Sequence, residues 1–97
     1  MDKVILYDGT TLKILKAEGL NLTFPSGDIN SLIEKFTKEN CRKIQLITNK
    51  DYVYGIYNNL ECVSIEKLKN ETLIVRLKHI EDNYNDYNIL DSTINNL

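Results

Sequence analysis

Between Lys43 and Lys78 the chain is written in a period of two. Lys43-Ile44-Gln45-Leu46-Ile47-Thr48, Tyr52-Val53-Tyr54-Gly55-Ile56-Tyr57, Leu60-Glu61-Cys62-Val63-Ser64-Ile65 and Thr72-Leu73-Ile74-Val75-Arg76-Leu77-Lys78 follow one another in this half. Alternation of this kind turns successive side chains to opposite faces of a strand, one toward a core and one toward water. The links between them, Asn49-Lys50-Asp51, Asn58-Asn59 and Lys69-Asn70-Glu71, are short and made of turn-forming residues. A parallel crossover needs a dozen residues or more, which none of these links supplies. The pattern predicts four strands paired as consecutive antiparallel neighbours, a four-stranded meander.

The N-terminal part adds a hairpin, a third strand and a helix. Lys3 to Asp8 and Thr11 to Ala17 are β-branched and aliphatic runs separated by Asp8-Gly9-Thr10. Asp-Gly in that place predicts a hairpin with a mirror-image turn, because Gly supplies positive φ without strain. Leu20-Asn21-Leu22-Thr23-Phe24 alternates again after the turn marked by Gly19, and Pro25, which cannot donate to a ladder, stops it. The period then lengthens: Ile29, Leu32, Ile33 and Phe36 fall at i, i+3, i+4 and i+7. Ser26 or Asp28 is the expected N-cap, and Asn30, Ser31, Glu34, Lys35 and Lys38 form the polar face. The helix is expected to run to about Asn40, which tolerates the left-handed conformation of a helix end, and to lie on one sheet face.

Charge divides the chain unevenly. Residues 81–97 contain Glu81, Asp82, Asp86 and Asp91 and no Lys or Arg, a charge of −4 against −2 for the whole chain, so residues 1–80 carry +2 by difference. Tyr87, Leu90, Ile94 and Leu97 recur at helical spacing and predict a short acidic amphipathic helix that needs a surface to dock on. No sequence repeat or low-complexity linker divides the chain further. The expected architecture is α+β: a single domain over residues 1–80, made of an N-terminal β-hairpin and third strand, one amphipathic helix and a four-stranded antiparallel meander, followed by the short C-terminal helix in the acidic segment 81–97. A chain of 97 residues buries one core and no deep cleft between lobes.

Most chemistries are missing from this composition. Twelve Lys and Arg against fourteen Asp and Glu argue against nucleic acid as the main partner. The apolar run after Lys3 is four residues long, too short for a secretory core or a membrane span, so a soluble product with no membrane partner is expected. Cys41 and Cys62 form no CxxC pair and read as reduced structural thiols. His79 is the only histidine, and Asp82, Asp86 and Asp91 do not have calcium-loop spacing. Ile5-Leu6-Tyr7-Asp8-Gly9-Thr10 approaches the phosphatase signature hhhDxDGT, but Leu6 occupies the place of the nucleophilic Asp, and turn chemistry accounts for Asp8-Gly9. With no phosphate-binding glycine loop, nucleophile elbow or paired catalytic carboxylates, the expectation is a chain without catalytic residues, metal or cofactor.

Tyr52, Tyr54 and Tyr57 make the most distinctive local cluster. Strict alternation would put Tyr52, Tyr54 and Ile56 on one face and Val53 and Tyr57 on the other. Rings at this spacing pack beneath a helix or across a neighbouring strand. Alternatively they stay exposed as a contact patch, since tyrosine offers area at low entropy cost. Base stacking is a third use, with Arg42, Lys43 and Lys50 as the only nearby phosphate partners. If the cluster is a protein contact, Tyr52, Tyr54 and Tyr57 together with Tyr87, Leu90 and Ile94 of the acidic segment are its candidate residues.

The order of these features resembles small proteins encoded in the tail-gene region of phages and prophages of low-GC Gram-positive bacteria. The likeness is carried by Val4-Ile5-Leu6-Tyr7-Asp8-Gly9-Thr10, by Tyr57-Asn58-Asn59-Leu60-Glu61-Cys62-Val63-Ser64-Ile65, by Leu73-Ile74-Val75-Arg76-Leu77 and by the acidic C-terminal segment. A preference for Lys over Arg, ten to two, and the abundance of Asn and Ile fit an AT-rich coding sequence. The resemblance implies a non-catalytic virion or tail-assembly component that binds other protein subunits as a homo-oligomer or in a larger assembly. The alternative from the same features is a small phage-encoded inhibitor, its carboxylates imitating phosphates toward a basic groove of a host defence or regulatory protein.

Overall fold

Three hairpin loops of the chain are built alike. In the computed structural model, which describes residues 1–80, the loops Leu6–Thr10, Thr48–Tyr52 and Leu68–Thr72 each close with the N–H of the first residue donating to the carbonyl of the fifth, at 2.9, 2.8 and 2.8 Å. The fourth N–H donates back to the first carbonyl, at 2.9 Å in all three. That fourth residue has positive φ: 92° at Gly9, 68° at Asp51 and 72° at Glu71. The geometry is a type I turn followed by a left-handed residue. At Asp8-Gly9 it replaces the expected mirror-image turn, because only Gly9 enters the positive-φ region. Side chains complete the loops. Asp8 and Asn70 hold the same position and accept, through Oδ1, the N–H of Thr10 at 2.8 Å and of Thr72 at 3.2 Å. In the middle loop Thr48 Oγ1 accepts from Lys50 at 3.3 Å and Tyr52 at 3.1 Å instead.

These loops and the Gly19 turn join eight strands: β1 (Asp2–Ile5), β2 (Thr11–Ile14), β3 (Lys16–Glu18), β4 (Asn21–Phe24), β5 (Lys43–Ile47), β6 (Val53–Asn58), β7 (Leu60–Lys67) and β8 (Leu73–His79). They form two sheets, ordered β2-β1-β5-β6 and β3-β4-β8-β7, in which every pairing is antiparallel. Each half of the chain gives one hairpin to the first sheet and the next hairpin to the second. The topology therefore repeats although the sequence does not.

Single-residue corners carry the chain from one sheet to the other. Thr11 to Ala17, expected as one strand, breaks at Leu15, whose N–H donates to the carbonyl of Thr23 at 2.7 Å. The expected meander breaks at Asn59. This residue has φ 57°, donates its N–H to the carbonyl of Arg42 at 2.9 Å and accepts from Ile80 N–H at 3.0 Å. The left-handed step redirects the backbone, so β7 leaves the first sheet and pairs with β8 in the second.

Helix α1 (Ile29–Lys35) links the halves and is followed by a 3-10 turn over Asn40–Arg42. Asp28 is the N-cap, its Oδ1 accepting Asn30 N–H at 3.0 Å. The helix stops five residues before the expected end near Asn40. Asn40 is itself buried, and its Nδ2 donates to the carbonyl of Lys35 at 2.8 Å, which satisfies an end carbonyl from outside the helix. Two turns of helix present a narrower stripe than four apolar residues suggest. Leu32 and Phe36 are buried, Ile29 is half-buried and Ile33 faces solvent. α1 packs chiefly against β7 of the second sheet. Phe36 meets Phe24 edge to face, ring centroids 5.8 Å apart.

One hydrophobic cluster joins the layers. Val4, Ile14, Ile44 and Leu46 come from the first sheet, Leu22, Phe24, Leu60, Leu73, Val75 and Leu77 from the second, and Leu32 and Phe36 from the helix region. Each such side chain contributes about 1.5–3 kcal/mol on burial. Residues 81–97, and with them the helix expected there, lie outside the described residues.

Candidate functional site

Residues directly opposite on paired strands share a face, so the register sorts each sheet into an inner and an outer side. On the first sheet the outer rows are Lys13–Lys3–Ile47–Val53, Thr11–Ile5–Gln45–Ile56 and Lys43–Asn58. On the second they are Lys16–Thr23–Ile74–Glu66, Glu18–Asn21–Arg76–Ser64 and Lys78–Glu61. The two outer sides differ in kind. The second sheet carries three cations and three carboxylates, joined as Lys16–Glu18 (3.4 Å), Arg76–Glu66 (2.6 Å) and Lys78–Glu61 (3.7 Å). The outer rows of the first sheet carry Lys3, Lys13 and Lys43 and no carboxylate, around Ile5, Ile47, Val53 and Ile56. Ile47 is buried yet belongs to no part of the central cluster.

Strand β6 forms one edge of this sheet. A bulge sets Val53 opposite Ile47 and Gly55 opposite Leu46, leaving Tyr54 as the additional residue. The strict alternation expected from the sequence is broken there, and Val53 shares the outer side with Ile56 rather than the inner side with Tyr57. Tyr52 is 71% exposed, Ile56 55%, Val53 51% and Tyr54 47%. Tyr54 Oη donates to Asp2 Oδ2 at 3.1 Å. Partial burial, and then this carboxylate, push its phenol pKa upward. Tyr57 is half-buried on the inner side, where it packs against the core cluster.

Of the contact residues proposed from the sequence, Tyr52 and Tyr54 thus meet Val53 and Ile56 on an exposed edge, and Tyr57 turns inward. Tyr87, Leu90 and Ile94 lie outside the described residues. Sequence reasoning missed the outer face of Ile5, Ile47 and three lysines, because only long-range register places β1 beside β5.

The edge strands of the described residues are not equally protected. β2 contains Lys13, β3 is three residues long with Lys16 and Glu18, and β7 carries Glu61, Glu66 and Lys67 and is bulged between Cys62 and Ser64. Those are the devices that keep an edge from pairing. β6, Val53-Tyr54-Gly55-Ile56-Tyr57-Asn58, holds no charged residue, and among the described residues it pairs only with β5.

A second location holds the thiols. Phe36, Lys38, Glu61, Cys62 and Ile80 line a surface recess of about 280 Å³. Both cysteines are free. Burial pushes the Cys41 thiol up to about 11 and raises that of Cys62, so both are protonated at neutral pH, the unreactive form. His79 is exposed on β8 opposite Leu60. The Asp8 carboxyl is held below its usual pKa by hydrogen bonds from Thr10 and serves the loop. Among the described residues no three His, Cys, Asp or Glu side chains converge as metal ligands, and no helix is long and apolar enough to cross a membrane.

No protein-family model, curated protein or solved structure matches the chain.

Proposed function

We propose that this chain is a non-catalytic protein-interaction module, a component of a phage or prophage tail or related virion structure, which joins further copies of itself or other subunits by strand pairing along β6. The observation that carries this reading is the uncharged edge Val53–Asn58, which bears the exposed ring of Tyr54 and is preceded by that of Tyr52. An incoming strand would gain main-chain hydrogen bonds from the unpaired side of β6, while side chains pointing alternately up and down supply selectivity. Tyrosines beside such an edge add contact area with little rotamer entropy to lose. The particle setting is supported by the resemblance over Val4–Thr10, Tyr57–Ile65 and Leu73–Leu77.

The test is assembly state. Light scattering and sedimentation of the full chain across a concentration series are expected to give a discrete oligomer, and Ile56→Lys, which charges the edge without touching the core, is expected to give a folded monomer with unchanged circular dichroism. A wild-type chain that stays monomeric at every concentration removes the self-assembly reading and leaves the inhibitor reading, in which Glu81, Asp82, Asp86 and Asp91 face a basic groove. Tail, baseplate or holin genes beside the coding sequence would establish the setting.

A further inference from the structure

We infer that the acidic segment 81–97 is the occupant of the outer face of the first sheet in its own chain. Three observations converge. The face is amphipathic and of one sign: Ile5, Ile47, Val53 and Ile56 are framed by Lys3, Lys13 and Lys43. Lys3 already meets Asp51 at 2.8 Å, whereas among the described residues Lys13 and Lys43 have no carboxylate partner. The segment has the complementary character, with Glu81, Asp82, Asp86 and Asp91, no cation, and apolar Tyr84, Tyr87, Ile89, Leu90, Ile94 and Leu97 between them.

The point of departure also lies at one end of this sheet. Ile80 N–H donates to Asn59 O at 3.0 Å, and Asn59 N–H to Arg42 O at 2.9 Å. The chain therefore leaves β8 beside Lys43 and Asn58, which pair at one end of the first sheet. From Lys43 the outer rows extend over the four following residues of β5, about 13 Å. Seventeen residues reach up to about 55 Å when extended. Length does not limit the contact.

The opposite face of the molecule offers no equal site, since its three cations are engaged with Glu18, Glu61 and Glu66. An acidic segment laid there would meet three carboxylates as well as three cations. On the first sheet the one carboxylate beside these lysines is Asp51 at Lys3, and the segment meets Lys13 and Lys43 and covers the isoleucines between them. Strand pairing at β6 takes place in the plane of the sheet and this segment lies over it, so failure of one reading leaves the other standing.

Zero-length carbodiimide coupling of the full chain, as an equal mixture of ordinary and nitrogen-15-labelled protein, tests the assignment. Amide links from Asp86 or Asp91 to Lys13 or Lys43 within single chains are the expected product, reduced in 1 M salt where screening is short-ranged. Links confined to Lys16, Lys67, Lys69 or Lys78, links joining the two isotopes, or no links from Asp86 and Asp91 would overturn it. As a second readout, Asp86→Asn with Asp91→Asn is expected to move the methyl resonances of Ile5, Val53 and Ile56 in the full chain. Resonances that stay in place would count equally against it.

Discussion

The ring of Tyr57 lies across Gly55: a methyl carbon on residue 55 would stand 3.0 Å from Tyr57 Cε2 and 3.4 Å from both Tyr57 Oη and Leu46 Cδ1. Glycine weakens a strand interior, and an aromatic two residues on, covering the bare backbone, recovers part of the loss. Two effects then compete in Gly55→Ala. Restricting the unfolded chain favours the alanine by about 0.4–1 kcal/mol. Overpacking opposes it by about 1–3 kcal/mol. The clash wins in the native sequence, and Gly55→Ala is expected to lower urea stability by about 1 kcal/mol. With Tyr57→Ala in place the clash is gone, and the same substitution should stabilise. A double-mutant cycle measures this change of sign, and a stabilising Gly55→Ala in the native background would show that the ring is not seated there.

The three like-built loops rank themselves. Gly9 occupies its left-handed position without strain, while Glu71 at φ 72° carries a Cβ there, a conformation that costs roughly 1–2 kcal/mol. Glycine at 71 recovers that cost less about 0.5–1 kcal/mol of backbone entropy. The exposed Lys67–Glu71 pair at 3.8 Å subtracts little. Glu71→Gly is expected to raise Tm by about 2–4 °C, taking roughly 4–8 °C per kcal/mol. Asp51→Gly should leave Tm nearly unchanged, because it also breaks the 2.8 Å contact to Lys3. Gly9→Ala should lower it by several degrees. Thermal melts of the three variants check the order, which is the content of the prediction.

What the sequence displayed was the strands and not the sheets. All four alternating runs after Arg42 are strands, Asp28 caps the helix as its position suggested, and most apolar residues on the inward spacing are in the core. Alternation tells which side of a strand is wet. It does not tell which sheet the strand joins: at Leu15 and Asn59 the inward side slips by one residue, from Ile14 to Ala17 and from Tyr57 to Leu60, a slip that a bulge within one sheet produces as well. The helix end differs for another reason: the backbone tolerance of Asn40 points to a helix end there, whereas its side chain takes the Lys35 carbonyl. The lysine-framed outer face depends on β1 meeting β5 across about forty residues of chain, a pairing no local pattern encodes.

The corner at Asn59 is held by backbone conformation. Its φ of 57° suits Asn or Gly and opposes a β-branched residue. Asn59→Gly is expected to change stability by less than about 0.5 kcal/mol, and Asn59→Val to cost about 1–3 kcal/mol. Amide hydrogen exchange gives the structural readout. Ile80 and Asn59 donate across this corner to Asn59 O and Arg42 O, so both amides should keep their protection with Gly and lose it with Val. Protection retained with Val would mean that the side-chain type at 59 does not set the turn between the sheets.

Burial of Cys41 makes stability fall at alkaline pH. Its thiol titrates at about 11 in the fold against an ordinary 9.0, with desolvation as the main cause and the neighbouring Cys62 thiol as the second. The unfolded chain therefore gives up this proton first. The full contribution is present below pH 9 and disappears as pH rises toward 11, a loss of roughly 2–3 kcal/mol at 1.36 kcal/mol per pH unit. Cys62, raised by burial as well, adds a smaller decline of the same sign. In Cys41→Ala the first thiol is absent, so the fall should be shallower even though stability at pH 7 drops by about 1 kcal/mol for the lost sulfur contacts. Lysines and tyrosines titrate in the same range, but they are common to both proteins, so the difference between the two urea-stability curves from pH 7 to 11 isolates Cys41. Parallel curves would mean that the buried thiol ionises in the folded protein as readily as in the unfolded chain.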